Sequence, residues 1–379
     1  MSPRKLVLIL SAMFNQFYSG KRVLLTGHTG FKGSWLALWL TEMGAEVHGL
    51  SLALEDGPSL HEIIAPERFA SQRACDIRDF GKFKSAIAEI QPEIVFHLAA
   101  QALVRRSYVD PLETVGSNAT GTAHLLEAIR TLRVNCTTVV VTSDKCYENR
   151  EWEFAYREND PLGGNDVYSM SKAATELVAQ SWNRSFFANA PELGPVVTVR
   201  AGNVIGGGDY AVDRIVPDCI RALMEPKPIF VRNPAAVRPW QHVLECLSGY
   251  LCIGERVTRE GKSSPVASAF NFGPDSSSLH PVRRLVEELL SHWPGEWTDG
   301  SDPNQVHEAN LLNLAIDKAA ALLGWRPVWG FQTGIRATVE WYKHRHGGPE
   351  RDREMEEFSR RQIRAYVEEA ARLGLPWVS

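Results

Sequence analysis

The feature that most constrains the fold is a glycine-rich turn between a short apolar run and a helix-forming run. Residues 22–26 are typical of a buried strand, and residues 34–43 are typical of a helix. Between them Gly27, Gly30 and Gly33 recur at intervals of three. Glycines with this spacing permit a tight turn, let backbone approach a pyrophosphate and seat a helix N-terminus against it. The pattern predicts a dinucleotide-binding strand–turn–helix unit.

Strand-like and helix-like segments then alternate through the first two hundred residues. This alternation predicts an α/β fold with a Rossmann-type, doubly wound parallel sheet. After residue 203 the segments shorten and prolines become frequent, which indicates a smaller mixed α/β lobe for the substrate. The predicted organisation is an N-terminal segment packed on the domain (1–20), a mainly dinucleotide-binding domain (21–203), a mainly substrate-binding lobe with the chain crossing between lobes (204–345), and a charged, solvated C-terminal helix (346–379).

The predicted cofactor site collects residues from the carboxyl ends of several strands, where open α/β sheets bind ligands. No Arg or Lys occurs between Val47 and Glu67, so NAD is favoured over NADP, although Lys32 lies inside the glycine loop. Asp76 is equally compatible with an adenine contact and with the N-cap of a helix at 80–90. The candidate NAD contacts are Gly27, Thr29, Gly30, Phe31, Lys32, Gly33, Ser51, Asp76, Ile77, Leu98, Ala99, Ala100, Gln101, Thr142, Tyr168 and Lys172.

A tyrosine and a lysine four residues apart carry the predicted chemistry. Tyr168 and Lys172 share one face of a predicted helix. An ammonium beside a phenol lowers the phenol's pKa, so Tyr168 is expected to act as a base or acid near neutral pH. Ser143, at the end of the fifth predicted strand, is placed to donate a hydrogen bond to the same substrate oxygen. This trio suits removal of a proton while a hydride leaves the same carbon.

The second lobe contains arginines among few acidic residues, as expected for binding a diphosphate. Residues 238–243 add a rigid turn, a tryptophan ring for stacking and two polar side chains. The candidate substrate contacts are Arg105, Asn203, Val204, Arg214, Arg232, Arg238, Gln241 and His242.

Composition excludes several other classes of protein. A net charge of −4 argues against a nucleic-acid binder. The six cysteines form no CxxC pair or Cys/His cluster, which indicates reduced thiols, a cytoplasmic location and no metal site. The basic and apolar start of the chain imitates a signal peptide, but its apolar run is short and lacks a cleavage site. No stretch is long enough to span a membrane.

Together these motifs resemble the extended short-chain dehydrogenase/reductase superfamily. Within it, residues 26–33 (TGHTGFKG), 143–147 (SDKCY), 202–206 (GNVIG) and 238–243 (RPWQHV) resemble the CDP-glucose 4,6-dehydratase family. The run Ser-Asp-Lys at 143–145 discriminates best, because the related dTDP-glucose enzymes carry Thr-Asp-Glu there. The resemblance extends from about residue 20 to at least residue 329; Val167 departs from it, since proline is common before the tyrosine.

The resemblance implies a reaction in three stages. NAD oxidises C4 of the sugar of CDP-glucose, water is lost across C5 and C6, and hydride returns to C6 to give a 4-keto-6-deoxy sugar. Tyr168 would take the 4-hydroxyl proton. Asp144 suits the acid of the dehydration if its surroundings keep it protonated, and Lys145 suits the base only if it is deprotonated. Alternatively, Lys145 merely pairs with Asp144 and holds the loop.

Two other functions share these motifs. A nucleotide-sugar 4-epimerase, or a dehydratase acting on another nucleotide sugar, would use the same scaffold; an epimerase needs only the Tyr168 trio, so Asp144 and Lys145 argue against it. A non-catalytic NAD-sensing protein usually lacks the tyrosine–lysine pair. The resemblance also implies a homodimer or larger homo-oligomer. The preference for a cytosine nucleotide is implied by the resemblance alone.

Overall fold

The computed structural model describes residues 13–54, 57–64, 68–301, 311–348, 351 and 353–378. Its strands are β1 (Arg22–Thr26), β2 (Glu46–Ser51), β3 (Ser71–Ala74), β4 (Ile94–His97), β5 (Thr137–Val141), β6 (Val196–Arg200), β7 (Val204–Ile205), β8 (Ile229–Val231), β9 (Val237–Pro239), β10 (Gln241–His242), β11 (Phe270–Asn271), β12 (Leu279–Pro281) and β13 (Trp297–Asp299). Seven of them form one sheet in the order β11-β6-β5-β4-β1-β2-β3.

All neighbouring strands of this large sheet are parallel. The strand order reverses its direction between β1 and β4, as in a Rossmann-type doubly wound fold. The fold class expected from the alternating pattern is therefore confirmed. Ligands of such sheets bind in the crevice at the carboxyl ends beside the reversal.

Helices connect the strands and cover both faces of the sheet. Their bounds are α1 (Phe31–Glu42), α2 (Leu60–Ile63), α3 (Phe80–Ile90), α4 (Val104–Val109), α5 (Pro111–Val115), α6 (Gly121–Leu132), α7 (Val167–Trp182), α8 (Ile215–Met224), α9 (Val243–Glu260), α10 (Val282–His292), α11 (Asp317–Leu323), α12 (Phe331–Arg345) and α13 (Met355–Arg372). A π-type turn at Gly116–Thr120 joins α5 to α6. None of the helices in the described ranges is both long and apolar enough to cross a bilayer.

The central strands are apolar throughout because both of their faces are buried. On β1, Leu24 packs against the layer of α3 and α6, whereas Val23 and Leu25 pack against the layer of α1 and α9. All five residues of β5 are buried. This continuous burial explains why short valine-rich runs, without alternation of polar residues, form the middle of the sheet.

The second lobe contains three two-stranded pairings: β7 with β10, β8 with β13, and β9 with β12. Only the last of these is antiparallel. The chain returns to the large sheet at β11, which pairs with β6. The division at residues 203 and 345, with the chain crossing between the lobes, stays a prediction.

The described residues nearest to both ends of the chain pack on the helical layer beside α1 and α9. Residues 1–12 of the predicted N-terminal segment lie outside the described residues, but Tyr18 is buried and its hydroxyl donates to the carbonyl of Leu251 at 2.6 Å. The predicted solvation of the C-terminal helix is wrong for one face of α13. Ile363, Tyr366 and Val367 are fully buried there, because every third or fourth residue of the charged sequence is apolar.

A buried ion pair joins α7 to β6. The guanidinium of Arg200 donates two hydrogen bonds of 2.9 Å to the carboxylate of Glu176, and neither side chain is exposed. Burial opposes ionisation of both groups, but the facing charges outweigh it, so the pKa of Glu176 is lowered and that of Arg200 is raised. The hydroxyls of Thr142 and Thr198 also donate to Glu176. The pair therefore fixes α7 against the ends of β5 and β6.

We expect Glu176→Gln to lower the free energy of unfolding by roughly 3–5 kcal/mol, because it leaves Arg200 charged and buried without its partner. Replacing Glu176 and Arg200 together by leucine should cost less, since no isolated charge then remains. Urea denaturation measures both effects. Glu89→Gln, which breaks the exposed pair with Arg73, is the control and should change stability by less than about 1 kcal/mol. Equal losses in the buried and exposed variants would contradict this account.

Candidate active site

A cavity of about 420 Å³ lies between the carboxyl edge of the large sheet and the second lobe. Its walls come from both parts of the chain, so the two lobes together define it. Of the candidate residues, those that line it are Phe31, Lys32, Arg105, Ser143, Asp144, Lys145, Tyr168, Asn203, Val204, Arg214, Arg232 and Arg238.

Helix α7 places Tyr168 at this cavity and Lys172 directly behind it. The carboxylate of Asp166 caps the helix by accepting from the backbone and hydroxyl of Ser169, at 2.8 and 2.7 Å. Tyr168 and Lys172 are both buried, one helical turn apart. Ser143, from the loop after β5, lines the same cavity and lowers the pKa of the Tyr168 phenol. The structure thus brings together the predicted trio.

The electrostatics of this trio differ from the expectation in one respect. Burial raises the pKa of Tyr168 to about 12, although the hydrogen bond of Ser143 and the charge of Arg214 lower it. The net shift of this pKa is therefore upward, opposite in sign to the lowering expected from a neighbouring ammonium, because loss of hydration outweighs the favourable charges. Burial, together with the charge of Lys32, lowers the pKa of Lys172 to about 8.

Asp144 is buried in a polar niche beside Ser143. The Ser143 hydroxyl donates to the Asp144 carboxylate at 2.8 Å, and the amide of Asn203 donates to its other oxygen at 3.4 Å. No ion pair joins Asp144 to Lys145, both of which lie in the described part of the chain and line the cavity. The arrangement in which Lys145 merely neutralises Asp144 is therefore not the one observed.

Gly202 makes room for the Asp144 carboxylate. A Cβ atom on Gly202 would lie well inside van der Waals contact of both Asp144 oxygens. Gly202 lies in the loop after β6, and Asp144 lies in the loop after the neighbouring strand β5. The position of Asp144 therefore depends on the absence of a side chain at residue 202. This contact fixes the position of the carboxylate in the cavity wall.

The glycine loop forms a cradle at the reversal of strand order. Gly27 has φ +74°, and a Cβ there would lie 2.7 Å from the backbone nitrogen of Ala99, so the loops after β1 and β4 touch. Glycine is required at position 33, because a Cβ there would lie 2.1 Å from the carbonyl oxygen of Gly27. A Cβ on Gly30 would meet nothing nearer than 3.4 Å. The protein's own packing therefore does not require glycine at position 30, and the open space fits the close approach of a pyrophosphate.

Ser51, at the end of β2, holds this loop. Its hydroxyl oxygen accepts from the backbone and the hydroxyl of Thr29, at 3.3 and 2.9 Å. At the end of β3, Asp76 instead binds the guanidinium of Arg78 at 2.7–3.0 Å. The alternative role of Asp76 as a helix cap is wrong, since Asp79 caps α3. Ile77 packs in the core behind Gly121.

The segment after β4 is ordered mainly by Asn118. The Asn118 amide accepts from the backbone of Gln101 at 2.8 Å and donates to the Gln101 carbonyl at 3.0 Å and to the Ser171 hydroxyl at 2.8 Å. The Gln101 side chain turns inward to Leu103 and Thr114, and the Thr142 hydroxyl turns inward to Glu176. These predicted cofactor contacts therefore support the site from behind, whereas Leu98, Ala99 and Ala100 border the glycine loop or follow that strand end.

The four candidate arginines of the cavity have different partners. Arg214 donates to the buried carboxylate of Asp209 at 2.8 Å, and Arg232 donates to Asp213 at 2.7 Å. Arg105 lies 3.4 Å from the same Asp213 carboxylate. Arg238 donates to the carbonyl of Val237 at 2.9 Å. The site therefore concentrates positive charge where a diphosphate is expected, and part of that charge is matched by carboxylates.

Gln241 and His242 do not reach the cavity, contrary to the expectation for them. The Gln241 amide donates to the carbonyls of Gly202 and Phe272, at 3.0 and 3.2 Å. His242 is fully buried, its Nδ1 accepts from the backbone of Leu244, and burial lowers its pKa to about 3. Trp240 borders the cavity, whereas Gln241 and His242 form β10 and pair with β7.

Sequence reasoning missed the pair formed by Glu176 and Arg200. Its signal was available, because Tyr168, Lys172 and Glu176 follow one another at four-residue spacing on one helical face. Arg200 also donates to the hydroxyl of Tyr147 at 2.6 Å, and Tyr147 lines the cavity. The ion pair therefore supports the cavity wall as well as the helix. Among the described residues no cluster of three His, Cys, Asp or Glu side chains suits a metal ion.

Comparison with known proteins assigns the family. The model of the GDP-mannose 4,6 dehydratase family matches residues 24–338. The chain belongs to this family. It is 48% identical over 333 residues to a CDP-glucose 4,6-dehydratase of Salmonella typhimurium, and the match covers 86% of this chain and 92% of the relative. It is 27% identical over 346 residues to a dTDP-glucose 4,6-dehydratase of Haemophilus influenzae, covering 84% and 97%.

Solved structures of other nucleotide-sugar enzymes share the fold. A dTDP-glucose 4,6-dehydratase from Bacillus anthracis in complex with NAD has a TM-score of 0.71 at 20% identity, covering 85% of this chain and 96% of that one. A UDP-glucose 4-epimerase from Thermotoga maritima has a TM-score of 0.72 at 22% identity, covering 85% and 98%. Since dehydratases and epimerases share this architecture, the residues at the cavity must distinguish the reactions.

We expect catalytic activity to fall as pH rises through about 8, because Lys172 loses its proton there and its ammonium charge no longer favours the phenolate of Tyr168. Lys32→Gln should move this alkaline limb to higher pH, since it removes a positive charge that lowers the pKa of Lys172. Initial rates at saturating substrate and NAD measure the profile. Lys21→Gln, which removes a lysine paired with the distant Glu93, should leave the limb in place. An unmoved limb in Lys32→Gln would count against Lys172.

Gly202→Ala should fold but lose most activity, because the added methyl group displaces the Asp144 carboxylate. We expect kcat to fall about 10- to 100-fold, in line with misplacement of a group that transfers a proton. Steady-state kinetics and the melting temperature measure the two effects separately. Gly330→Ala is the matched control, since a Cβ at Gly330 would meet no atom within 4 Å. Normal turnover by Gly202→Ala would show that the position of Asp144 does not matter.

Proposed function

We propose that the chain is a CDP-glucose 4,6-dehydratase, which converts its substrate to CDP-4-dehydro-6-deoxy-D-glucose. The observation that carries this proposal is the sequence Ser143-Asp144-Lys145 at the cavity beside Tyr168, in a chain 48% identical to a CDP-glucose 4,6-dehydratase. A 4-epimerase requires no additional acid and base at this position. The choice of cytosine rests on that relative, and the cavity residues support the reaction type.

NAD is the proposed cofactor. The residues that would hold it are the glycine loop at residues 27–33, the segment at residues 98–101, and Lys172. Ser51 would act indirectly, by its hydrogen bond with Thr29. The open space over Gly30 supports this fit. When bound, NAD accepts the hydride of C4 and later supplies it to C6.

Tyr168 is the proposed base for the sugar 4-hydroxyl. Its phenol lies in the cavity wall together with Ser143, which suits a shared contact with one substrate oxygen. Burial opposes the phenolate, so positive charge is needed nearby; Arg214 lowers the pKa of Tyr168, and Lys172 lies one turn behind it. The product keeps its ketone at C4, so the proton that Tyr168 takes is not returned to that oxygen.

Asp144 and Lys145 are the proposed groups for loss of water. Oxidation at C4 makes the proton on C5 acidic, and Lys145 in its neutral form would remove it. Protonated Asp144 would then donate a proton to the departing 6-hydroxyl, so that water leaves and a double bond forms between C5 and C6. The Ser143 hydroxyl and the Asn203 amide hold the Asp144 carboxylate in a fixed orientation in the cavity wall.

A homodimer or larger homo-oligomer is proposed as the assembled form, located in the cytoplasm. Exposed apolar side chains cluster on α4, α5 and α7, namely Val109, Leu112 and Leu177, which are 85, 83 and 56% exposed. A second copy of the chain is the proposed partner of this face. The cytoplasmic location is supported by six free thiols and by a nucleotide-sugar substrate. Sedimentation at increasing protein concentration tests the assembly.

The decisive experiment is a product assay with CDP-, dTDP-, UDP- and GDP-glucose, each with and without added NAD. We expect a keto-deoxy sugar from CDP-glucose and no net NADH, because the hydride returns to the product. Lys145→Glu should fold normally and lose most dehydration, whereas Lys21→Gln is a control outside the cavity. Formation of a 4-epimer without loss of water would replace the proposal by an epimerase. Full turnover by Lys145→Glu would exclude Lys145 as the base.

A further inference from the structure

A carboxylate lies between two of the arginines at the cavity. Asp213 accepts a hydrogen bond of 2.7 Å from Arg232, which also donates to the backbone carbonyl of Asp213 at 3.2 Å. Arg105 lies 3.4 Å from the same carboxylate oxygen. All three residues line the cavity. An anionic side chain thus holds two cations in the place where the proposed function requires a diphosphate.

This contact crosses between the two parts of the protein. Arg105 belongs to α4, which follows the β4 end of the large sheet, whereas Asp213 and Arg232 belong to the second lobe. The Asp213 carboxylate is therefore a bridge across the cavity as well as a partner of Arg232. Its backbone lies in the left-handed region, with φ 64°, which non-glycine residues seldom adopt. Residues in such conformations are held there by their surroundings and cluster at binding sites.

The neighbouring pair of Arg214 and Asp209 shows a different design. Asp209 has only 6% of its side chain exposed and also accepts a hydrogen bond from the backbone of Ala211 at 3.1 Å. It is therefore a fixed support for Arg214. By contrast, Asp213 is 38% exposed and Arg105 is 47% exposed. Ion pairs this open to water contribute little stability, so a more highly charged ligand can replace the carboxylate.

A diphosphate offers stronger bonds to the same guanidinium groups. Arginine binds phosphate oxygens through paired, charge-assisted hydrogen bonds. A diphosphate bound at Arg105 and Arg232 would also be repelled by an Asp213 carboxylate that stayed in place. The diphosphate and the Asp213 carboxylate therefore cannot both contact the two arginines fully. The free energy of ligand binding is reduced by the free energy needed to separate Asp213 from them.

We propose that Asp213 is an internal competitor for the diphosphate of the nucleotide sugar: it occupies Arg105 and Arg232 in the ligand-free protein and leaves them when substrate binds. This inference rests on the proposed function and adds to it a residue that sets the affinity. The resident carboxylate keeps the arginine pair from binding weaker anions, so ligands with a single phosphate gain less from displacing it than ligands with two.

Calorimetric titration of the NAD-loaded protein with CDP and with CMP tests this inference without turnover. Asp213→Asn keeps the size of the side chain and removes its charge. We expect it to tighten CDP binding roughly three- to tenfold and CMP binding less. In an Arg232→Gln background the same substitution should give a smaller gain, because one of the released cations is missing. Higher salt should reduce the gain, since the competing charges are exposed.

Glu113→Gln is the matched control, because Glu113 pairs with Arg106 on the same side of the protein but neither residue lines the cavity. It should leave CDP binding unchanged. Unchanged or weaker CDP binding in Asp213→Asn, with a normal melting temperature, would overturn the inference and make Asp213 a support for the arginines. If that variant is destabilised, Asp213→Ser provides the same comparison. Absence of CDP binding to the unaltered protein would instead remove the proposed function, and this inference with it.

Discussion

The site depends above all on the buried ion pair between Glu176 and Arg200. Helix α7 carries Tyr168 and Lys172, and Glu176 ties its third turn to the end of β6. Arg200 also donates a hydrogen bond to the hydroxyl of Tyr147, which in turn donates to Asn271 on β11 at 2.7 Å. One guanidinium therefore connects the candidate catalytic helix, the loop after β5 and the last strand of the sheet. A buried pair of this kind contributes a defined geometry more than net stability, because desolvation offsets much of its attraction.

The sequence was sufficient for the parts of the fold that follow from local patterns. The glycines at 27, 30 and 33, the apolar runs and the Tyr168–Lys172 spacing predicted the sheet class and the cavity edge where these residues meet. It was insufficient where long-range packing decides. Nothing local distinguishes Trp240, at the cavity, from Gln241, behind it, because their orientation depends on the pairing of β10 with β7. Likewise the pKa of Tyr168 follows from complete burial, which sequence spacing does not reveal.

The acidic side chains at and behind the cavity fall into two groups. Asp209 and Glu176 are buried beside their arginines, whereas 38% of the Asp213 side chain is exposed. Burial, and not bond length, separates these ion pairs, since the distances are similar. Asp144 belongs to the buried group, but its partners are neutral hydroxyl and amide groups. It therefore lies in the cavity wall without a cationic partner in the described part of the chain.

The C-terminal helix has a consequence for how the protein is made. Arg360 and Arg364 of α13 both bind Glu42, the last residue of α1, and Tyr366 donates to the buried Glu245 at 2.9 Å. Helix α1 begins at the glycine loop, so it is supported by residues that lie 318 and 322 positions later in the sequence. The layer that contains α1 cannot complete its packing during synthesis until α13 has been made. Contacts of such long sequence separation also favour slow folding, so the apolar face of α1 stays exposed longer in the nascent chain, where it can promote aggregation.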